Sequence, residues 1–505
     1  MSLLSVTYGL SITTIVLFGV GALIFARYRQ RRFKHEDTTE FFLTARRSVQ
    51  GYTIAWSFYA SGVGAWVIFS MPAYVISAGI VGLVAYSIAC GLPIYIVARV
   101  GSVLRRKYPG VLSLGDFVQW RFGTVPMLLV TLIMLLNMFI ALCAEFTAIG
   151  NLFEWVIGGP RLPIVVVVAV VTSIYTSAGG LYVSIMTDVA QGVFSIFLLV
   201  VMAIYVAATY RPESLPTPLP PNLGANYYGW AACAAMPIST TCATIFSEGP
   251  WQRIWASADE KALRKGSILG SIGLVVVCFL YGFGGFLAIW AGFPLSDEFG
   301  STAFFDLLSA GKGLSSAPSW IIIIASLSVV TMNEGAVDTL QNAIVDTIVS
   351  RIFRGRSIWY PRVIVFLINI PIVFVSLKGY NIISLFLLGN LICTFCAVPL
   401  LLGLVDRLEG IMGSLSAGMH YTFMESYDWP SFVLPLVFSA IGVAIAAAIE
   451  CGVRKSLGLA YPVPLQIPRE ATQTEFGEEG SGVESKASSV HDADLYSTKP
   501  KVAMN

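Results

Sequence analysis

Five polar side chains, Ser328, Thr331, Glu334, Asp338 and Gln341, recur at spacings of three and four within an otherwise apolar stretch. That spacing sets them along one face of a helix. An ionisable group in mid-membrane costs at least ~2.5 kcal/mol, so two carboxylates one turn apart suggest ion or proton handling. The competing reading is that Glu334 and Asp338 sit near the helix end, where they meet water or the basic residues Arg351 and Arg354. Asn137 and Glu145 add polarity to a second apolar stretch, where an interhelical hydrogen bond is the simplest role. Two further stretches carry residues that loosen a helix at mid-length. One is Tyr59-Ala60-Ser61-Gly62-Val63-Gly64-Ala65-Trp66, with Pro72 beyond it; the other is Met236-Pro237-Ile238-Ser239-Thr240-Thr241, between Trp230 and Glu248. Where the ladder opens in hydrocarbon, freed carbonyls must line a cavity or find a partner. Broken helices at matching places in two halves point to a solute site, whereas close packing on small residues is the plainer alternative.

Other reactive residue types form no such pattern. Cys393 and Cys396 make a CxxC with no second pair and no His nearby, and all eight cysteines lie in or beside apolar stretches. We expect packing roles, no disulfide framework and no metal site. His35, His420 and His491 are too scattered for metal ligation or triad catalysis.

The elements that position these residues are membrane spans. A bilayer core about 30 Å thick needs ~20 apolar residues of helix. About thirteen such stretches are centred near residues 15, 64, 91, 135, 170, 198, 238, 279, 332, 368, 393, 417 and 441. Hydrophobic residues make up 56% of the chain and charged ones 12%, which excludes an ordinary water-soluble fold. The net charge of +2 gives no reason to expect nucleic acid. Basic residues cluster in alternate loops: seven in 27–47, five in 99–121, four in 253–265 and four in 351–362. Loops of the other parity hold single ones, Arg161, Arg211, Lys312 and Lys378. The positive-inside rule then puts the N-terminus outside and the C-terminus in the cytoplasm, which needs an odd number of spans. The stretch Glu409–Glu425, short and carrying His420, is the weakest of them. From Arg454 to Asn505 the chain is rich in Ser, Thr, Glu, Gly and Lys, and we expect a disordered cytoplasmic tail.

Three motifs carry a resemblance. Tyr175-Thr176-Ser177-Ala178-Gly179-Gly180-Leu181 leads to Thr187-Asp188 and Gln191. Ser113-Leu114-Gly115-Asp116-Phe117 leads to Arg121-Phe122-Gly123, and Gly249-Pro250-Trp251-Gln252-Arg253 to Ala256-Ser257-Ala258-Asp259. Together they resemble the solute:sodium symporter family over roughly Glu40 to Ser456. The resemblance implies an all-α integral membrane protein with a leucine-transporter-type core. Two inverted five-helix repeats, 51–208 and 227–405, would be joined by an extracellular loop, 209–226. One helix with a basic loop (1–50) would precede them, and two accessory helices (406–453) and the tail (454–505) would follow.

The resemblance also implies a cation site between the first and eighth core helices. Carried over, it names the carbonyls of Ala60 and Val63 and, aligned on Asp346, the triplet Leu327, Val330 and Thr331. One hydroxyl of the family pattern is missing there, with Ser328 the nearby replacement, so sodium coupling and proton coupling through Glu334 or Asp338 both stay open. Asp188 matches an acidic residue on the cation path. A solute site at mid-membrane would use Ser61, Trp66, Asn137, Trp230, Thr240 and Asn390. The stretch Glu40–Val49 resembles a eukaryotic urea/polyamine branch, while Thr187-Asp188 is closer to amino-acid and vitamin branches. The expected function is cation-coupled import of a small polar, nitrogen-containing solute such as urea, a polyamine or an amino acid, at the plasma membrane. It would use Na+ or H+, no organic cofactor and no obligate protein partner. The alternatives are a proton-coupled transporter of the same fold, a transport-fold nutrient sensor, an intramembrane enzyme or a passive channel.

Overall fold

The computed structural model describes residues 3–32, 39–108, 110–111, 113–212, 215–297, 299–313, 316–352, 359–402 and 429–458. All belong to one unit within Met1–Leu465. The expected span at Glu409–Glu425 and the tail beyond Gly458 lie outside them, so the count of thirteen is not completed here.

Fifteen α-helices, with one π-helical turn at Leu152–Val156, follow in chain order among these residues: α1 Leu3–Arg32, α2 Thr39–Thr44, α3 Gly51–Gly62, α4 Val67–Lys107 and α5 Leu114–Phe122. Then come α6 Thr124–Asn151, α7 Arg161–Thr209, α8 Tyr227–Ile245, α9 Glu248–Ala256 and α10 Glu260–Trp290. The last five are α11 Ala303–Leu308, α12 Ser319–Ile352, α13 Trp359–Ser376, α14 Ile382–Leu402 and α15 Trp429–Ser456. No strand occurs among the described residues beyond one isolated bridge, Val49 to Ser257. Side-chain caps start several helices where the sequence changes from polar to apolar. Asn226 accepts from Gly229 N at 2.8 Å, Ser113 from Asp116 N at 3.2 Å and Asp259 from Ala262 N at 2.6 Å.

Among the described residues seven helices are long and apolar enough to cross a membrane, and α8 with α9, bent by 65°, passes the same test as a pair. Two of the seven are too long for one passage: α4 has 41 residues and α7 has 49. At 1.5 Å per residue each is about twice the bilayer core, so each must turn back. The turns are single glycines, Gly79 (φ 60°, ψ −161°) and Gly180 (φ 62°, ψ −163°). That conformation belongs essentially to glycine. The chain is also crowded there. A Cβ on Gly180 would run into the Phe42 carbonyl, and one on Gly79 into the carbonyls of Asn222 and Leu223.

Packing follows small residues. α10 lies against α3 and α4, close enough that a Cβ on Gly270 would come within 2.7 Å of Phe58 and within 2.9 Å of the Ala55 carbonyl. Such contacts are how helices gain dispersion energy without a hydrophobic driving force. α12 packs along α7 and α6, and α14 packs against α6 and α8. The polar stripe of α12 therefore turns inward. Glu334 and Asp338 are fully buried, which removes the reading in which they merely meet water.

Replacing Gly180 by Val should cost about 1–3 kcal/mol in backbone strain before the Phe42 clash is added. In thermal denaturation of the detergent-solubilised protein, Gly180→Val should melt well below wild type. Gly21→Ala, where a Cβ meets nothing, should not. Equal melting of the two variants would show that the bend does not need glycine.

Candidate functional site

The helical ladder opens between α3 and α4, at Val63 to Trp66. Val67 N–H bonds Gly64 O at 3.2 Å in place of Val63, and Ala65 N–H turns outward to Glu145 Oε2 at 2.9 Å. Asn333 Nδ2 of α12 donates to the same oxygen at 3.0 Å and to the Glu145 carbonyl at 3.0 Å. Glu145 therefore fills the break. There is no space for a side chain at Gly64, since a Cβ there would overlap the carboxylate.

A second break separates α8 from α9, at Phe246 and Ser247. It falls after the Met236–Thr241 segment that the sequence singles out; α8 runs unbroken through Pro237. Asn137 supports its end, donating to Ala243 O at 3.0 Å and Phe246 O at 3.3 Å.

Between the two breaks lies a cavity of about 210 Å³. Ser61, Trp66, Asn137, Thr240 and Asn390 all line it, but Trp230 does not. Trp230 is 63% exposed, because it lies on the outer face of α8 near its start. Thr240 Oγ1 lies 2.7 Å from Ala89 O and 2.8 Å from Met236 O, and Asn390 Nδ2 donates to Ser239 Oγ at 2.8 Å. Trp66 meets Phe386 edge-on with ring centres 5.4 Å apart, and Tyr86 at 6.2 Å. Glu145 is the one carboxylate on the wall, and among the described residues no lining side chain is basic.

The α12 stripe divides differently from its reading in sequence. Ser328 Oγ pairs with Tyr281 OH at 2.9 Å, and Thr331 Oγ1 donates to Leu327 O of its own helix at 2.8 Å. The level at which α12 meets the first break lies one turn beyond Thr331 and two beyond Leu327. There a Cβ on Gly335 would come within 3.2 Å of the Ala60 carbonyl. Leu327, eight residues earlier, is about 12 Å away along the helix. Asp338 and Thr339 follow Gly335 at the same three- and four-residue spacing that Val330 and Thr331 have from Leu327.

Asp338 is held by neutral donors: Thr176 Oγ1 at 2.7 Å, Asn342 Nδ2 at 2.8 Å and Thr187 Oγ1 at 3.5 Å. Glu334, one turn away, has no hydrogen-bond partner for either oxygen among the described residues, and the nearby Gln191 amide has none either.

Asp188 forms a buried ion pair. Arg253 Nη2 lies 2.9 Å from its Oδ2 and 2.6 Å from Thr339 Oγ1, while Ser57 Oγ donates to Oδ2 at 2.5 Å. Arg253 is wholly buried, so it does not belong with the loop charges that the topology reading counts it among. Arg253, Gly335 and Thr339 were not singled out from sequence as site residues. A signal exists for the first: Trp251-Gln252-Arg253-Ile254-Trp255 sets a lone cation between large apolar residues in a short helix.

The sodium:solute symporter family model matches residues 41–211. A spermidine transporter of Candida albicans, DUR31, is 33% identical over 368 residues, covering 72% of this chain and 70% of that relative. The chain belongs to the sodium:solute symporter family. It is a cation-coupled secondary transporter, an integral membrane protein and not an enzyme. A sodium/pantothenate symporter of Haemophilus influenzae is 26% identical over 276 residues, 52% of this chain and 56% of its own. Among solved structures, a substrate-bound, outward-open Na+-coupled sialic acid symporter superposes with TM-score 0.67 at 16% identity, covering 87% of this chain and 98% of that one. The nucleobase-cation-symport-1 family transporter Mhp1, closed around bromovinylhydantoin, gives 0.61 at 14% identity, covering 86% and 97%. The fold of this symporter is the leucine-transporter type, with its two broken helices facing across the cavity.

Gly64→Ala should displace the Glu145 carboxylate and leave Ala65 N–H unpaired, a loss of about 1–3 kcal/mol. Uptake should fall by about tenfold or more at normal surface expression. Gly62→Ala should be milder, because a Cβ there meets only the movable Leu274 methyl, at 2.9 Å. Normal transport by Gly64→Ala would remove the break from the solute site.

Proposed function

We propose that this symporter imports a small cationic amine of the polyamine class. The observation that carries the reading is the wall of the cavity, which has one carboxylate, Glu145, no basic residue among those described, and the aromatic rings of Trp66, Tyr86 and Phe386. A desolvated ammonium is favoured by a carboxylate and by ring faces, and methylenes between amines bury against the same rings. The acceptor atoms of Ser61, Asn137, Thr240 and Asn390 suit the remaining N–H groups. The spermidine transporter among the relatives agrees with this chemistry. A carboxylate solute such as pantothenate would call for a basic residue, and urea would not need Glu145.

We assign the coupling cation to the level where Gly335 of α12 meets the Ala60 carbonyl, with the Val63 carbonyl, Asp338 and Thr339 as its further ligands. Oxygen ligands from an opened helix suit sodium, and this assignment replaces Leu327, Ser328 and Thr331. A second reading has one supporting observation. Glu334 is fully buried with neither oxygen partnered among the described residues, and a lone buried charge is prohibitive. Glu334 therefore carries a proton or faces a cation, and proton coupling through Glu334 and Asp338 follows if sodium proves dispensable. Asp188 then acts through Arg253, as a tie between helices rather than a direct ligand.

Vesicle uptake of labelled spermidine, urea, proline and pantothenate, with sodium and proton gradients imposed separately, tests both assignments. Spermidine should be taken up in preference to the others. Glu145→Gln should raise its KM by about tenfold or more, the worth of a charge-assisted hydrogen bond. Thr339→Val should raise the sodium concentration for half-maximal uptake, and Thr331→Val should not. Full uptake in choline medium at clamped pH, with a flattened pH profile in Glu334→Gln, would transfer the coupling to protons.

A further inference from the structure

We propose that the cavity enclosed by α1, the bend of α7 and the start of α13 binds the phosphate headgroup of an anionic phospholipid. The cavity has a volume of about 420 Å³ and is remote in sequence from the solute site, sharing none of its lining residues. Arg27 of α1 and Arg362 of α13 supply its charge, and no acidic side chain lines it among the described residues. The Arg362 guanidinium lies over the Trp359 ring, 5.2 Å from its centre. Its Nε is buried with no hydrogen-bond partner among the described residues. A buried guanidinium N–H without an acceptor is a donor in search of one, and the planar fork matches phosphate oxygens in pairs.

The rest of the wall identifies the ligand as a lipid rather than a free anion. Leu23, Val363 and Phe366 line the cavity. From there one exposed apolar stripe continues down α13 through Leu367, Ile370 and Phe374, at 56, 55 and 69% exposure. A molecule with its head on the two arginines would lay its hydrocarbon along that stripe. Basic pockets between transmembrane helices hold anionic headgroups in this manner. Such a lipid would join α1 and α13 across the α7 bend at Ser177 and Ala178.

The full chain should be reconstituted in phosphatidylcholine nanodiscs, with and without phosphatidylglycerol, and its melting followed. Phosphatidylglycerol should raise the melting temperature of wild type and of Arg211→Gln, a control in an exposed loop. It should not do so for the Arg27→Gln/Arg362→Gln variant, whose lipid affinity should fall about tenfold or more. If that variant melts below wild type in phosphatidylcholine alone, Arg27→Gln by itself, at an exposed position, carries the comparison. An equal rise in all variants would mean bulk charge and would overturn the site. So would no rise in any, and so would the same shift produced by inorganic phosphate alone.

Discussion

One carboxylate oxygen holds the centre of this molecule together. Glu145 Oε2 accepts from Ala65 N–H in the break and from Asn333 Nδ2 on α12, at 2.9 and 3.0 Å. Backbone opened inside a membrane cannot borrow water, so an N–H that leaves the ladder must find an acceptor or the break closes. A carboxylate is the strongest acceptor a side chain offers, and Gly64 leaves it space to enter. Both donors are neutral, so the contact satisfies the oxygen's geometry and leaves the group without a counter-charge. A cationic solute that took Glu145 through Oε2 would compete with Ala65 and Asn333 for that oxygen. Solute binding and the geometry of the break are then one equilibrium, and the ligand shifts it by the difference in its affinity for the two arrangements.

The Arg253–Asp188 pair ties the structure at a second level. It is fully buried, and through Ser57 and Thr339 it touches α3, α7, α9 and α12 at once. A pair of this kind contributes little net stability against a well-packed apolar replacement, yet losing one partner strands a charge at large cost. Its value lies in fixing which faces of four helices meet. That fixes the register of α12 against the first break, and with it the residue presented to the Ala60 carbonyl.

Much of this was legible in the sequence, and what was missed has physical reasons. Span positions among the described residues and the first break follow from hydropathy and glycine placement, because each is a local property of one helix, and five residues of one cavity follow from the family resemblance. The register of α12 is not local. The pattern of one residue with partners three and four further on fits Leu327, Val330 and Thr331, and fits Gly335, Asp338 and Thr339 equally well. Only packing against α3 separates the two. Trp230 was misplaced for a similar reason: an aromatic on an apolar helix can face solute or lipid, and composition does not say which. Arg253 read as a loop charge because basic clusters were counted by sequence range, and a nine-residue helix folded back into the core escapes that count.

With the proposed sites, the arrangement of α12 would let one movement couple solute and ion. Around residues 333 to 342 successive side chains point to different partners, since each residue turns the helix by about 100°. Asn333 reaches Glu145 at the break, Gly335 meets the Ala60 carbonyl, and Ala336, Thr339 and Leu340 line the solute cavity. Asp338 is bonded to Thr176 on α7, and Gln341 bonds Thr172 at 2.9 Å and Asn369 at 3.1 Å. A helix moves as a rigid rod over this length, so no shift of α12 against α3 and α6 can alter one of these contacts and spare the others. On the proposed assignment, a cation that strengthens the Ala60 level would also hold Asn333 to Glu145, and that would fix the carboxylate offered to the solute. On that assignment the coupling would need no separate pathway, because both proposed sites read the position of the same two turns.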